Sequence, residues 1–448
     1  MDEVHVWIDS VSSFPEDSEA PECESSPRPS LKRARRSPTP PRRVRPRLDP
    51  SARSSARDSL EMDSTTDASS VTSLDSRRRL KPTSPLMKRK GSQSPERTQR
   101  VLLEQGKPPI RIRQPDSTSR IVSSEELQGI LSENFSDNFV PTYFKDRLRE
   151  ADPVVFRNDI RSYMFDQSDQ TQLDQTEAGR LESLWSRVQR IHTRAKRCND
   201  NNKDENAWAR VVWEALEAVV EDDTCLEINS VQSQNIHPDF LSIGTSGLTV
   251  SKKADFVLAF SGDDDGDVRR VYENFKSNNN GATLSPMTDA YTSGLALACA
   301  IELKEAGGKA TEAEMQLAVY HAAMLWKIRE LINMRRKTPM AMEEVESLVP
   351  SVVGWTVIGH KWSLYISSLL PDGSIMCQGP FDGLQASTST RHGILLLLDL
   401  LKRVAVMASN MLWPAMRDIL EGSEIRGWRH HFGEENANEL YINQNECR

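Results

Sequence analysis

The sequence lacks the long hydrophobic runs that membrane helices need. It contains no stretch of about 18 consecutive apolar residues, and its richest apolar run, residues 394–398, is followed by Asp399. We therefore expect no membrane span. The first residues, Met1-Asp2-Glu3, show neither the basic nor the apolar region of a secretory signal, which indicates a protein that is not secreted.

Paired cysteines and phosphate-binding glycine loops are also missing. The six cysteines lie far apart, and no two of them form a Cys-x-x-Cys pair. This spacing argues against a zinc knuckle or a disulfide framework and favours a reducing compartment. No glycine-rich loop opens a helix, so nothing indicates a nucleotide cofactor.

Charge is present in quantity, but the two signs are distributed unevenly. Residues 1–120 hold 24 Lys and Arg against 17 Asp and Glu, a net charge of +7, whereas residues 121–448 carry −15. The first segment also holds 15 of the 24 prolines and only 28 residues of the hydrophobic class. Such a composition buries too little apolar surface to offset the entropy of ordering. We predict a disordered basic tail over 1–120, a helical extension over 121–198 that packs on the core, and a short C-terminal tail over 436–448.

Two basic clusters stand out in the tail, at residues 31–47 and 77–90. Clusters of this kind are read by nuclear import receptors or contact nucleic-acid phosphates, and they also occur in solvated tails without a specific partner. We expect a nuclear protein, with the cytoplasm as the other location.

After residue 120 the apolar pattern predicts alternating helices and strands. Short apolar runs bounded by Gly, Asp or Ser are typical of strands in a covered sheet, and apolar residues at helical spacing predict helices between them. Residues 261–280 are polar and are predicted to form an exposed loop. The fold class is therefore mixed α/β or α+β. Helices are predicted near 123, over 181–195, 204–220 and 311–333, and from 393 with a bend at Pro414; strands are predicted at 225–231, 254–260, 297–303, 351–358, 362–368 and 375–378.

Three charged residues lie on two of the predicted strands. Successive side chains of a strand alternate between its faces, so Glu302 and Lys304 share one face. Asp255 opens another, otherwise apolar strand. If the two strands pair, Asp255 and Glu302 converge on a hard cation such as Mg²⁺, which prefers carboxylate oxygens and water.

This order of residues and elements resembles the PD-(D/E)XK nuclease superfamily, and within it a group of fungal PD-(D/E)XK nuclease-like proteins. The resemblance covers roughly residues 199–370. It rests on an acid in the first helix, an Asp opening the second strand, a Glu-x-Lys in the third and a Gln in the next helix. The matching residues are Glu205, Asp255, Glu302 with Lys304, and Gln316.

The resemblance implies a restriction-endonuclease-like core, a mixed sheet flanked by helices, with the nuclease-like domain spanning 199–435. It also implies that Asp255, Glu302 and Glu205 bind Mg²⁺ or Mn²⁺. Lys304 then positions or deprotonates the attacking water, and Gln316 lies close to the same site.

Three points stay open in the sequence. A literal Pro-Asp occurs at Pro238-Asp239, whereas Ala254 precedes Asp255; Asp255 is preferred because it begins the better strand. Glu205 has an alternative role as a first-turn acid that complements the helix dipole. Trp355, Trp362 and Tyr365 could stack on bases, but burial in the core is the preferred interpretation.

The predicted function is metal-dependent hydrolysis of phosphodiester bonds in DNA or RNA. The alternative is a catalytically inactive nuclear binding or scaffold protein that keeps the nuclease-like fold. The acidic balance of 121–448 favours the scaffold, because general affinity for nucleic acids comes from Lys and Arg. The presence of all the motif side chains together favours the enzyme.

Overall fold

The computed structural model describes residues 95–115, 121–167, 174–221, 225–244, 252–263, 266–335 and 342–422. The basic clusters at 31–47 and 77–90 and the predicted C-terminal tail at 436–448 lie outside these residues. Among the residues described, no helix is both long enough and apolar enough to cross a membrane.

Helices form the outer layers of the fold. Several begin at an acidic or hydroxyl side chain that accepts a hydrogen bond from the first turn, as Asp174, Asp204 and Thr390 do. The helices are α1 (Pro95–Glu104), α2 (Val122–Ser132), α3 (Lys145–Ala151), α4 (Pro153–Asn158), α5 (Gln175–Asp200), α6 (Glu205–Val220), α7 (Gly266–Asn278), α8 (Ala310–Arg335), α9 (Met342–Leu348), α10 (Arg391–Met407) and α11 (Trp413–Glu421).

The described strands form one mixed sheet of eight strands. They are β1 (Ile110–Arg113), β2 (Leu226–Ser230), β3 (Phe256–Phe260), β4 (Leu297–Lys304), β5 (Val352–Ile358), β6 (Lys361–Leu369), β7 (Ile375–Gln378) and β8 (Gln385–Ser387). Their order is β1-β7-β6-β5-β4-β3-β2, with β8 paired to β6. The β1–β7 and β4–β5 pairs are parallel, and the other pairs are antiparallel. The predicted mixed α/β class is therefore confirmed.

The core lies along the central strands. Every residue of β3 is buried, and so are seven of the eight residues of β4. A strand covered on both faces has apolar side chains on both, which explains why these strands are continuous apolar runs. Helix α8 packs on β4 and β5 and is itself covered by other helices, so it is buried over most of its length.

Two boundaries differ from the sequence prediction. The segment 95–113, predicted as part of the disordered tail, forms α1 and β1, and β1 pairs with β7. The segment 261–280, predicted as an exposed loop, contains α7. Its buried side chains, Val268, Val271, Tyr272 and Phe275, follow helical spacing, but the Asp and Asn residues on either side of them hide the pattern.

The end of the last predicted helix is also interrupted. A π-helical turn, Ala408–Leu412, separates α10 from α11. Pro414 lies in the first turn of α11, where the N–H that proline lacks would have no intrahelical partner.

Candidate active site

Pairing of β3 with β4 brings Asp255 next to Glu302. The register aligns Phe256 with Ile301, and the Asp255 N–H donates to the Ile301 carbonyl at 3.0 Å. The side chain of Asp255 accepts a second bond, from the Leu303 N–H to Oδ2 at 2.7 Å. Asp255 is thus fixed by backbone groups of the strand that carries Glu302 and Lys304.

Lys304 links two carboxylates at the end of β4. Its Nζ donates to Glu302 Oε1 at 2.6 Å and lies 3.0 Å from Glu205 Oε1. It also donates to the Leu303 carbonyl at 3.0 Å. Glu205 is the first residue of α6, directly after the helix cap Asp204. The N-terminus of α6 therefore places the Glu205 carboxylate beside Lys304.

The side chain of Glu302 lies deep in the sheet. Only 1% of the residue is exposed, and its Oε2 is buried without a hydrogen-bond partner among the residues that the structure describes. Burial, with the nearby charge of Asp255, raises the pKa of Glu302, although the ion pair with Lys304 opposes the rise. Burying an unpaired polar group costs free energy, and a cation bound to this oxygen would offset that cost.

The pKa values of Asp255 and Lys304 are also raised, but for different reasons. Burial raises the pKa of Asp255, and the hydrogen bond from the Leu303 N–H opposes that rise. For Lys304, burial disfavours the charged form, but Glu302 and Glu205 outweigh it and raise its pKa. Lys304 is therefore a firmly protonated ammonium ion in this arrangement.

Gln316 lies in the second turn of α8 and contacts the segment that leads into β3. Its Nε2 donates to the Lys253 carbonyl at 3.3 Å, and its Oε1 is buried and accepts no hydrogen bond from a described residue. The side chain therefore lies close to the Asp255 strand, as the sequence suggested, with its amide bonded to the backbone two residues before Asp255.

The alternative motif residue, Asp239, lies elsewhere. It belongs to the short 3-10 turn Pro238–Phe240, its side chain is 81% exposed, and it lies 3.5 Å from His237. The strand pairing therefore joins Asp255, and not Asp239, to the Glu302 strand. Trp355, Trp362 and Tyr365 are buried in the core, so they offer no face for base stacking.

One side chain at the site escaped the sequence analysis. Gln232 follows β2, and its Nε2 donates to Asp255 Oδ1 at 3.0 Å. Gln232 lies in the turn after a strand, where the spacing of apolar residues gives no signal for a functional side chain. It helps to line a cleft of about 690 Å³ whose walls are Asn202, Lys203, Asp204, Glu205, Asn206, Gln232, Asp255 and Glu305.

The residues fit a hard divalent cation on chemical grounds. Within the described part of the chain, no three His, Cys, Asp or Glu side chains are grouped closely enough to hold a metal by themselves. Mg²⁺ commonly takes only one or two protein carboxylates and keeps several waters. Asp255 and Glu302, with the partnerless Oε2 of Glu302, supply that donor set.

Comparison with known proteins agrees with this geometry. A family model described as the PD-(D/E)XK nuclease superfamily matches residues 152–413. The chain belongs to the PD-(D/E)XK nuclease superfamily. The predicted superfamily and the predicted restriction-endonuclease-like core are therefore confirmed. No curated protein and no solved structure matches the chain.

The matched range starts before residue 199, the predicted start of the nuclease-like domain. The superfamily model begins at residue 152, so it includes α4 and α5, which the sequence placed in the helical extension packed on the core over 121–198. It includes all five motif positions, and it ends at the first residue of α11. Helix α5 packs on α6 and α10, which explains why it is continuous with the core.

Proposed function

We propose that the protein is a metal-dependent nuclease that hydrolyses phosphodiester bonds of nucleic acids. The observation that carries this proposal is the convergence of Asp255, Glu302 and Lys304 at the end of β4, where a buried Glu302 oxygen has no hydrogen-bond partner in the described part of the chain. Membership of the nuclease superfamily supports the same chemistry.

Asp255 and Glu302 are the proposed ligands of Mg²⁺ or Mn²⁺. When bound, the ion would polarise the phosphoryl oxygen and stabilise the charge that develops in the transition state. The Leu303 N–H and the Gln232 amide hold the Asp255 carboxylate in a fixed orientation. The carboxylate therefore loses little further conformational entropy when substrate binds. Glu205 contributes directly or through water.

Lys304 acts as a cation in this proposal. The sequence left two roles open, positioning the attacking water or deprotonating it. With no metal bound, Glu302 and Glu205 raise the pKa of Lys304, so the side chain is protonated and has no lone pair to accept a proton, which favours positioning. Gln316 braces the backbone before Asp255 and is assigned a supporting role.

One observation favours the alternative function, an inactive nuclear binding or scaffold protein. Lys304 already bridges Glu302 and Glu205, so the carboxylates are partly neutralised without a metal. A cation that binds Glu302 must compete with this ammonium group. The acidic balance of residues 121–448 favours the same alternative.

The deciding experiment is cleavage of labelled single- and double-stranded DNA and RNA by the purified chain with Mg²⁺, with Mn²⁺ or with EDTA. We expect metal-dependent products from the wild type and none from Glu302→Ala, Lys304→Ala or Asp255→Asn. The matched control is Asp239→Asn, which removes the literal Pro-Asp carboxylate and should retain activity. Wild-type turnover no higher than that of Glu302→Ala would reject the nuclease in favour of the scaffold.

Import into the nucleus through an import receptor is a further part of the proposal. It is supported by the basic clusters at 31–47 and 77–90. Replacing the Lys and Arg residues of both clusters by Gln should shift a fluorescent fusion towards the cytoplasm, and an unchanged distribution would reject this assignment. The likeness to the fungal group within the superfamily remains a prediction.

A further inference from the structure

Helix α6 carries an exposed stripe that starts at the candidate active site. Asn206, Arg210 and Trp213 occur at i, i+4 and i+7, so they lie on one side of the helix, and all three are exposed. The other side of α6 is buried in the core, including Trp208 and Val212. Asn206 is also a wall residue of the active-site cleft. An amide, a cation and an aromatic ring therefore follow one another from the cleft along the helix.

The indole of Trp213 is the unusual member of the stripe. A tryptophan is usually well buried, yet 38% of Trp213 is exposed. Its ring packs against Phe256, with the centroids 6.2 Å apart and the planes at 65°. Phe256 is the first residue of β3 and directly follows Asp255. The aromatic ring is thus anchored to the strand that supplies a proposed metal ligand, while part of it stays accessible to solvent.

The guanidinium of Arg210 is the second feature. Arg210 is exposed and makes no hydrogen bond, ion pair or ring contact with any residue that the structure describes. On the neighbouring helix, by contrast, Arg190 and Arg194 both pair with Glu214. Arg210 is therefore a cation available to an external anion, one turn from the cleft.

We propose that the α6 track, defined as Asn206, Arg210 and Trp213, binds a single strand of nucleic acid that passes through the cleft. Arg210 contacts a phosphate and Trp213 stacks on a base. This inference rests on the proposed nuclease function and narrows its substrate to nucleic acid that is single-stranded beside the cleft. A duplex keeps its bases stacked on one another, so an exposed indole can stack only on an unpaired base.

The length of the track fits a short run of nucleotides. Trp213 lies seven positions after Asn206 on the helix, which corresponds to a rise of about 10 Å. At about 3.4 Å per nucleotide of a stacked strand, this distance corresponds to roughly three nucleotides. The charges also favour nucleic acid as the bound partner. The acidic cleft walls alone would repel a polyanion, and Arg210 attracts it beside the cleft.

The test is binding of labelled oligonucleotides to the full chain in EDTA, measured by fluorescence anisotropy at several salt concentrations. Single-stranded DNA, single-stranded RNA and duplex DNA form the three arms. We expect Trp213→Leu to weaken single-strand binding by about tenfold, as the loss of one stacked base should, and Trp213→Phe to restore most of it. The salt slope is the slope of the logarithm of the binding constant against the logarithm of the salt concentration. Arg210→Ala should reduce its size by about 0.7, the contribution of one phosphate contact on a single strand, and Arg210→Lys should keep it.

Two exposed residues outside the track serve as matched controls. Tyr163→Leu removes an aromatic side chain that is also solvent-exposed, and Arg157→Ala removes an exposed arginine; neither should change binding. All variants keep the same basic N-terminal segment, so its contribution is common to every comparison. Thermal unfolding of each variant checks that the fold is retained.

The outcomes separate this inference from the proposed function. If Trp213→Leu and Arg210→Ala bind single strands as the wild type does, or weaken duplex binding equally, the α6 track is rejected whether or not the wild type cleaves. Absence of single-strand binding by the wild type would also reject it. If the track variants lose binding while the wild type cleaves nothing, the track stands and the nuclease proposal fails.

Discussion

The buried histidine of α8 makes the stability of the fold depend on pH. His321 is fully buried, and its Nδ1 lies 2.8 Å from Ser367 Oγ. A charged imidazole here would be a buried cation without a charged partner among the described residues. Burial therefore lowers the pKa of His321 to about 3, although a hydrogen bond with the Val353 backbone opposes the shift.

The sign and size of the effect follow from linkage. In the unfolded chain a histidine has a pKa of about 6.5, so between pH 6.5 and pH 3 the unfolded state binds a proton that the native state excludes. The free energy of unfolding therefore falls as the pH falls through this window. The loss approaches about 1.4 kcal/mol per pH unit, so acidification from pH 7 to pH 5 should remove about 2 kcal/mol through this one side chain.

The assay is urea unfolding of the full chain at pH 7 and at pH 5, for the wild type and for His321→Gln. Glutamine can still bond Ser367 but does not titrate, so the variant should lose about 2 kcal/mol less than the wild type on acidification. His237→Gln, which changes a half-exposed imidazole, is the control and should behave as the wild type. Equal pH dependence in His321→Gln and the wild type would refute the reasoning.

Two further predictions concern packing and the tail. Gly354→Ala should destabilise the fold by about 1–3 kcal/mol in urea unfolding, because an added Cβ would lie 2.4 Å from His321 Nε2 and 2.5 Å from the Ala300 carbonyl oxygen. Gly383→Ala, which meets no atom within 4 Å, should change stability little, and an equal loss in both would contradict the packing argument. Removal of residues 1–94 should lower nucleic-acid affinity and its salt slope if the tail supplies phosphate contacts, whereas an unchanged slope would show that residues 95–448 bind without the tail.

The central part of the fold could be predicted from sequence because its signals are local. Strands β3 and β4 are buried apolar runs, and side-chain alternation is enough to place Glu302 and Lys304 together. Once these strands are paired, Asp255 must lie beside Glu302. The core of the site therefore follows from two short segments and one assumption about pairing.

The missed elements depend on partners that are distant in sequence. Strand β1 has only four residues, alternates Ile with Arg, and pairs with β7, with Ile110 aligned to Ile375. A strand this short is ordered by its partner, so its own composition resembles the tail before it. Gln232 was missed for a related reason, since its contact with Asp255 exists only after β2 and β3 have paired.

The net charge of the domain does not decide between nuclease and scaffold. Some of its charges are paired internally: Glu214 pairs with Arg190 and Arg194, and Asp399 pairs with Arg403. Phosphate attraction depends on the local potential and on cations that lack partners, which a sum over residues does not reveal. Arg210 makes no ion pair with any residue that the structure describes, and it lies one turn from the acidic cleft. An acidic domain can therefore bind a polyanion along a narrow track, and the charge that first favoured a scaffold is compatible with catalysis.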